Sequence, residues 1–201
     1  MSSLLDRIRE LRLKYGPLVK LAKKSNLFLN FVENRPVLKP ILERLKPNPL
    51  LPEDFISELQ KQIIEAKPNA RIIIYSPYLY DKAVEKYLGV METAIKRGVN
   101  IIVYTLTPGH YSIRRKGIQE ALIKTLKEIG VEVRERKNMH EKAVIILDQE
   151  KRVAYFGSLN PLSKYEGKAD YMLRFDHPNV ADALYLFLET LAIESERTLK
   201  T

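Results

Sequence analysis

The chain predicts an α/β fold: a mixed, mostly parallel sheet flanked by helices, behind an N-terminal helical extension. Three observations carry this. Short apolar runs at Arg71–Tyr75, Val99–Tyr104 and Val131–Arg136 alternate with longer amphipathic segments, the pattern of helices packed on both faces of one sheet. The run Ile72-Ile73-Ile74 is continuous, as expected of a strand covered on both sides. Glycine and proline fall between the runs, at Pro68, Gly98 and Gly130, where chain reversals are needed.

In chain order, a helix over about 53–66 runs into Pro68-Asn69 and then strand Arg71–Tyr75. Ser76-Pro77-Tyr78 forms the loop at that strand's carboxyl end. A helix over about 80–97 stops at Gly98, strand Val99–Tyr104 follows, and the loop Thr105–Ser112 leads to a helix with the basic start Arg114-Arg115-Lys116. Gly130 closes it and strand Val131–Arg136 comes next. Residues 140–160 read as two adjacent strands joined by a turn at Gln149-Glu150-Lys151. A strand over about 170–175 and an amphipathic helix over about 179–197 complete the pattern.

Upstream, Leu4, Leu5, Ile8, Leu11 and Leu13 have helical spacing, ended by Gly16-Pro17. Apolar-basic pieces follow at Leu18–Lys24 and Val37–Leu45. Pro47, Pro49 and Pro52 mark the best linker candidate. The division expected is a basic helical arm over 1–47 and one domain over 53–201. Residues 1–47 hold 11 Lys/Arg and 4 Asp/Glu, so most of the net charge of +9 belongs to the arm. Basic arms commonly track phosphate backbones; a solvated helical surface accounts for the charge equally well.

With no cysteine in 201 residues, disulfides and cysteine-ligated zinc are excluded. No apolar run approaches the roughly 20 residues that span a bilayer. The charged N-terminus lacks a signal-peptide core. The expectation is a cytoplasmic protein without stable membrane association.

The stretch richest in chemistry is His140-Glu141-Lys142, an apolar run ending at Asp148, and then Gly157-Ser158-Leu159-Asn160. An imidazole and an ammonium two positions apart on a strand point to one face. The second strand adds a hydroxyl and a carboxamide. Together they offer a nucleophile or base and several donors for the oxygens of a phosphodiester, with no obvious metal ligands. Ser158 and Asn160 also have an ordinary role open to them, as turn and capping residues before Pro161. Ser76 and Tyr78 end a strand, where α/β sheets bind ligands, and are candidate substrate contacts; core or turn packing is the other reading. Arg114 and Arg115 are candidates for gripping phosphates, against a solvated helix start. His110 and His177 read as surface residues. Tyr and Phe are scattered without a stacking array, which gives base stacking no support.

His140-x-Lys142, Asp148 and Gly157-Ser158-x-Asn160 resemble the HKD signature of the phospholipase D superfamily, and the strand–helix units from about 53 to 197 resemble its phosphodiesterase domain. The wording Gly-Ser-Leu-Asn-Pro-Leu-Ser is similar to the nuclease branch, often fused behind nucleic-acid helicases. Two spacings depart from the pattern: five residues instead of four separate Lys142 from Asp148, and eight instead of six separate Asp148 from Gly157. That turns Asp148 to the opposite strand face, and it is read as a supporting, structural carboxylate.

The resemblance implies chemistry without a cofactor or metal. His140 would attack phosphorus to give a covalent phosphohistidine, with Lys142 and Asn160 holding the non-bridging oxygens and Ser158 donating to them or orienting Lys142. Members with one such motif pair as twofold dimers, so His140 of a second copy would protonate the leaving group. An acidic residue ten or eleven positions after the asparagine would hold the imidazole. Asp170 matches, Glu166 is the fallback, and Glu141 should point away from His140. The expected function is a metal-independent nuclease acting on DNA or RNA as a homodimer, with a helicase as a further candidate partner. The alternatives are a non-hydrolysing nucleic-acid-binding module of a larger helicase or nuclease machine, and a phospholipase. The latter lacks an interfacial helix rich in Trp or Phe.

Overall fold

A computed structural model describes residues 47–163 and 170–197. The arm expected over 1–47 and the fallback Glu166 lie outside the described residues, apart from Pro47. The elements are β1 (Asn48–Leu50), α1 (Pro52–Glu65), β2 (Arg71–Tyr75), α2 (Asp81–Lys96), β3 (Asn100–Leu106), a 3-10 turn (Pro108–His110), α3 (Ile113–Glu128), β4 (Glu132–Arg136), β5 (Ala143–Leu147), β6 (Arg152–Gly157), β7 (Met172–Phe175) and α4 (Pro178–Arg197). Gly98 (φ 87°) and Gly130 (φ 93°) sit just past α2 and α3 in the left-handed region that stops a helix.

The seven strands form one sheet in the order β1-β7-β6-β5-β2-β3-β4. β2, β3 and β4 are parallel, whereas β5 lies antiparallel to β2, β6 to β5 and β7 to β6. Parallel pairing is thus narrower than the sequence suggested, for a reason of connection length. β4 finishes at one edge of the sheet and only residues 137–142 separate it from β5. So short a link returns the chain from that same edge, and β5 must run the other way. The Gln149–Lys151 turn then makes β5 and β6 a hairpin. The stretch read as a linker contributes β1, an edge strand, where Pro49 is tolerated because one side of the ladder needs no N–H.

Alternation sorts the strand residues. Ile72, Ile74, Val144, Ile146, Val153 and Tyr155 pack with Phe55, Leu59 and Ile63 of α1, Tyr87 and Met91 of α2, and Leu126 of α3. The opposite face meets α4, whose Val180, Ala181, Leu184 and Leu188 are buried. Burying each of the Val and Leu side chains among them contributes about 1.5–3 kcal/mol. On the α4 face Tyr75 and Tyr104 stack at 4.7 Å with rings 2° from parallel. Both phenols donate to one oxygen of Glu189, at 3.0 and 2.6 Å. Burial, reinforced by Glu189, pushes Tyr104 up to about 12 and Tyr75 higher still.

Candidate active site at the carboxyl edge of the parallel strands

The topology gathers the polar motifs at one edge. β2, β3 and β4 end there, β5 and β7 begin there, and β6 ends there. His140 and Lys142 are not inside a strand, as sequence spacing suggested, but in the link immediately before β5. They still meet: Lys142 Nζ lies 3.5 Å from His140 Nε2 and donates to the His140 carbonyl at 3.0 Å. An ammonium can only donate, so the contact suits an imidazole nitrogen that carries its lone pair.

Gly157 N–H donates to Lys142 O at 3.3 Å, extending the β5–β6 ladder by one residue. This brings the end of β6 against the base of the His–Lys pair. The glycine is required by close approach: a Cβ at 157 would lie 2.1 Å from the Tyr171 carbonyl oxygen and 3.0 Å from Met172 Cα. Ser158 N–H then donates to Tyr171 O at 3.0 Å, and Ser158 Oγ accepts from Tyr171 N–H at 3.1 Å. The same hydroxyl donates to Asp170 Oδ1 at 3.1 Å. Its hydrogen is therefore spent on Asp170, and Ser158 acts here as the hinge between β6 and β7. Asp170, expected on the imidazole, reaches the edge through Ser158.

Asn160 follows one residue later, and its carbonyl accepts from Ser163 N–H at 3.2 Å. Its Oδ1 is buried with no hydrogen-bond partner. An amide oxygen only accepts, so a phosphodiester oxygen can be met at this residue only by the Nδ2 hydrogens.

Four sequence candidates take other positions. Asp148 is at the far end of β5, where Oδ2 accepts from Lys67 N–H at 3.0 Å and Oδ1 from Glu150 N–H at 3.4 Å. The structure does not bring it to His140; the longer hairpin leaves it tying the β5–β6 turn to the α1–β2 loop. Ser76 is fully buried. Its Oγ donates to Tyr78 O at 2.9 Å and accepts from Leu162 N–H at 3.0 Å, so it stitches the loop after β2 to the loop carrying Asn160. Arg114 and Arg115 fall in the first turn of α3, and Arg115 is exposed. His110 ends the 3-10 turn and is exposed, whereas the Nδ1 of His177 is buried beside the start of α4, at the opposite edge.

Tyr78 is 41% exposed and meets Tyr111 edge-on at 5.9 Å. Tyr111 donates to Pro77 O at 2.7 Å, and burial pushes its phenol up to about 12. The aromatic pair unites residues 33 positions apart, which sequence reading missed. A second omission is Arg136, at the end of β4 and 5% exposed. It pairs with Glu141 at 3.4 Å, and Glu141 in turn accepts from the backbone N–H of His140 at 2.8 Å. Among the described residues, no three or more His, Asp or Glu side chains are grouped as a metal site would require. No helix among them is long and apolar enough to cross a membrane.

A family described as cardiolipin synthase, PLD-like domain, matches residues 59–187. No curated protein matches the sequence. Among solved structures the fold is similar to Nuc, a phospholipase D family member from Salmonella typhimurium, with a TM-score of 0.51 at 19% identity, covering 72% of this chain and 93% of that one. NucT from Helicobacter pylori is comparable, with a TM-score of 0.50 at 17% identity and coverage of 76% and 98%. Polyphosphate kinase from Porphyromonas gingivalis scores 0.56 at 14% identity, over 81% of this chain but 28% of its own. These likenesses establish the sheet architecture, and the family match spans more than half of the sequence. The chain belongs to the phospholipase D-like domain family.

Proposed function

We propose that the protein is a metal-independent phosphodiesterase that hydrolyses nucleic-acid phosphodiester bonds through His140, at a site completed by a second copy of the chain. The observation that carries this reading is the 3.5 Å approach of Lys142 Nζ to His140 Nε2, on the edge that also holds Asn160. His140 Nε2 attacks phosphorus in line; the P–N bond forms as the P–O bond to the leaving group breaks. His140 of the second copy gives that alkoxide its proton. Water then attacks phosphorus, the P–N bond breaks, and the water proton passes to the waiting imidazole. Lys142 and the Asn160 carboxamide hold the non-bridging oxygens, whose charge is greatest in the pentavalent state.

A single HKD motif supplies only one such imidazole, and a twofold axis doubles it without new sequence. Nucleic acid is favoured as substrate by the basic arm and by Arg115 in the first turn of α3. Tyr78 adds an exposed ring on the loop bonded to Leu162, which offers a face to a base.

The test is a panel of single- and double-stranded DNA and RNA in excess EDTA, with light scattering on the same preparation. The reading expects cleavage in EDTA, a dimeric mass, and loss of cleavage in His140→Ala. Strict magnesium dependence contradicts it. DNA retention with steep salt dependence and no cleavage of any substrate would favour a binding module instead.

A further inference from the structure

We propose that Glu141 is a positioning residue for His140, locked in place by the buried Arg136 guanidinium; the proposal rests on the reading of His140 as nucleophile. Arg136 ends β4 with its side chain 4% exposed. A guanidinium cannot shed its charge, so burial at that level demands partners. Two are Glu141 Oε1 at 3.4 Å and, from α4, the Leu191 carbonyl at 3.3 Å. The other oxygen of Glu141 accepts the His140 amide at 2.8 Å.

The consequence lies in the backbone. His140 stands outside β5, so no strand ladder fixes its main chain. Glu141 restrains the His140 amide, beside the Lys142 bond to the His140 carbonyl, and Arg136 anchors Glu141 to β4 and α4 together. Charge argues in the same direction. A carboxylate between His140 and Lys142 would repel an anionic diester, and a paired guanidinium offsets that repulsion. Glu141 is useful at this position for geometry, and Arg136 makes its charge tolerable.

The test compares the full-length wild type, Glu141→Gln and Glu141→Ala, using bis(p-nitrophenyl) phosphate in EDTA and amide hydrogen exchange at His140. Glu141→Ala removes a partner of the buried guanidinium and is destabilising, so a melting curve first shows that each variant is folded at the assay temperature. For Glu141→Ala, kcat should fall about 10- to 100-fold, the scale of a small misplacement of a reacting group, with KM unchanged and exchange at His140 accelerated. Glu141→Gln keeps one acceptor oxygen for the His140 amide but loses the ion pair to Arg136, and should recover part of kcat and part of the amide protection. Wild-type kcat in Glu141→Ala, or a loss of rate with His140 protection intact, overturns the proposal. A wild type that never turns over the diester sinks the nucleophile reading instead. The exchange comparison would then decide the Glu141 restraint alone.

Discussion

The two ends of β5 meet opposite demands. At its carboxyl end Asp148 is buried and both carboxylate oxygens accept backbone N–H groups, from Lys67 and Glu150. At its amino end an imidazole and an ammonium stand 3.5 Å apart, and nearby a buried carboxamide oxygen has no hydrogen-bond partner. One end uses its polar groups to close a turn. The other presents an ammonium that can donate to a bound anion, beside an imidazole nitrogen. The difference separates polar groups used for stability from those proposed for chemistry, and substitutions at the two ends should distinguish the two.

The largest effect belongs to the amino end. His140→Ala should lower diester turnover by about 10⁴-fold or more, with the thermal midpoint within a few degrees of wild type. Kinetics and a melting curve on one sample check both halves; comparable turnover in the variant would erase the contrast. Gly157→Ala comes next, because it strikes the frame beneath the site. With Tyr171 O only 2.1 Å from the new Cβ, β6 and β7 must separate, at a cost of roughly 1–3 kcal/mol. Denaturant unfolding measures that loss, and activity should fall with it. A neutral result would mean that β7 is not held as close as described.

At the carboxyl end, Asp148→Ala strands two backbone N–H groups. It should destabilise by about 1–3 kcal/mol while leaving kcat unchanged below the unfolding transition. A fall in kcat with stability intact would move Asp148 back among the groups that serve catalysis. The smallest effect is spectroscopic. Tyr104 and Tyr111 are both pushed up to about 12, chiefly by burial, so the folded state holds these phenolic protons above the ordinary value of 10. Their contribution to stability is fully present below pH 10 and is lost as pH rises toward 12. Absorbance at 295 nm should show a late tyrosine fraction that merges with the early one on unfolding. A single wave near 10 in the folded protein would contradict the burial described.

Much of the frame was legible in the sequence, because strands such as Ile72-Ile73-Ile74 and the stops at Gly98 and Gly130 are local signals. The approach of His140 to Lys142 was legible from their spacing, whereas their place in the link before β5 was not. What escaped depends on contacts distant in sequence. Arg136 looks like a solvated strand end until α4 covers it. Tyr78 and Tyr111 meet only after β2 and β3 pair. Ser76 reads as a turn residue or a substrate contact, and its bond from the Leu162 amide depends on a residue 86 positions away. The proline-rich stretch before α1 reads as a linker, since pairing at an edge strand leaves no pattern in composition.

The central claim is that His140 forms a bond to phosphorus, and peptide mass spectrometry after alkaline quenching of a reacting sample tests it most directly. The account predicts a phosphoryl adduct on the peptide carrying His140, absent in His140→Ala. Steady turnover with no adduct on that peptide, or with the adduct on another residue, would contradict it.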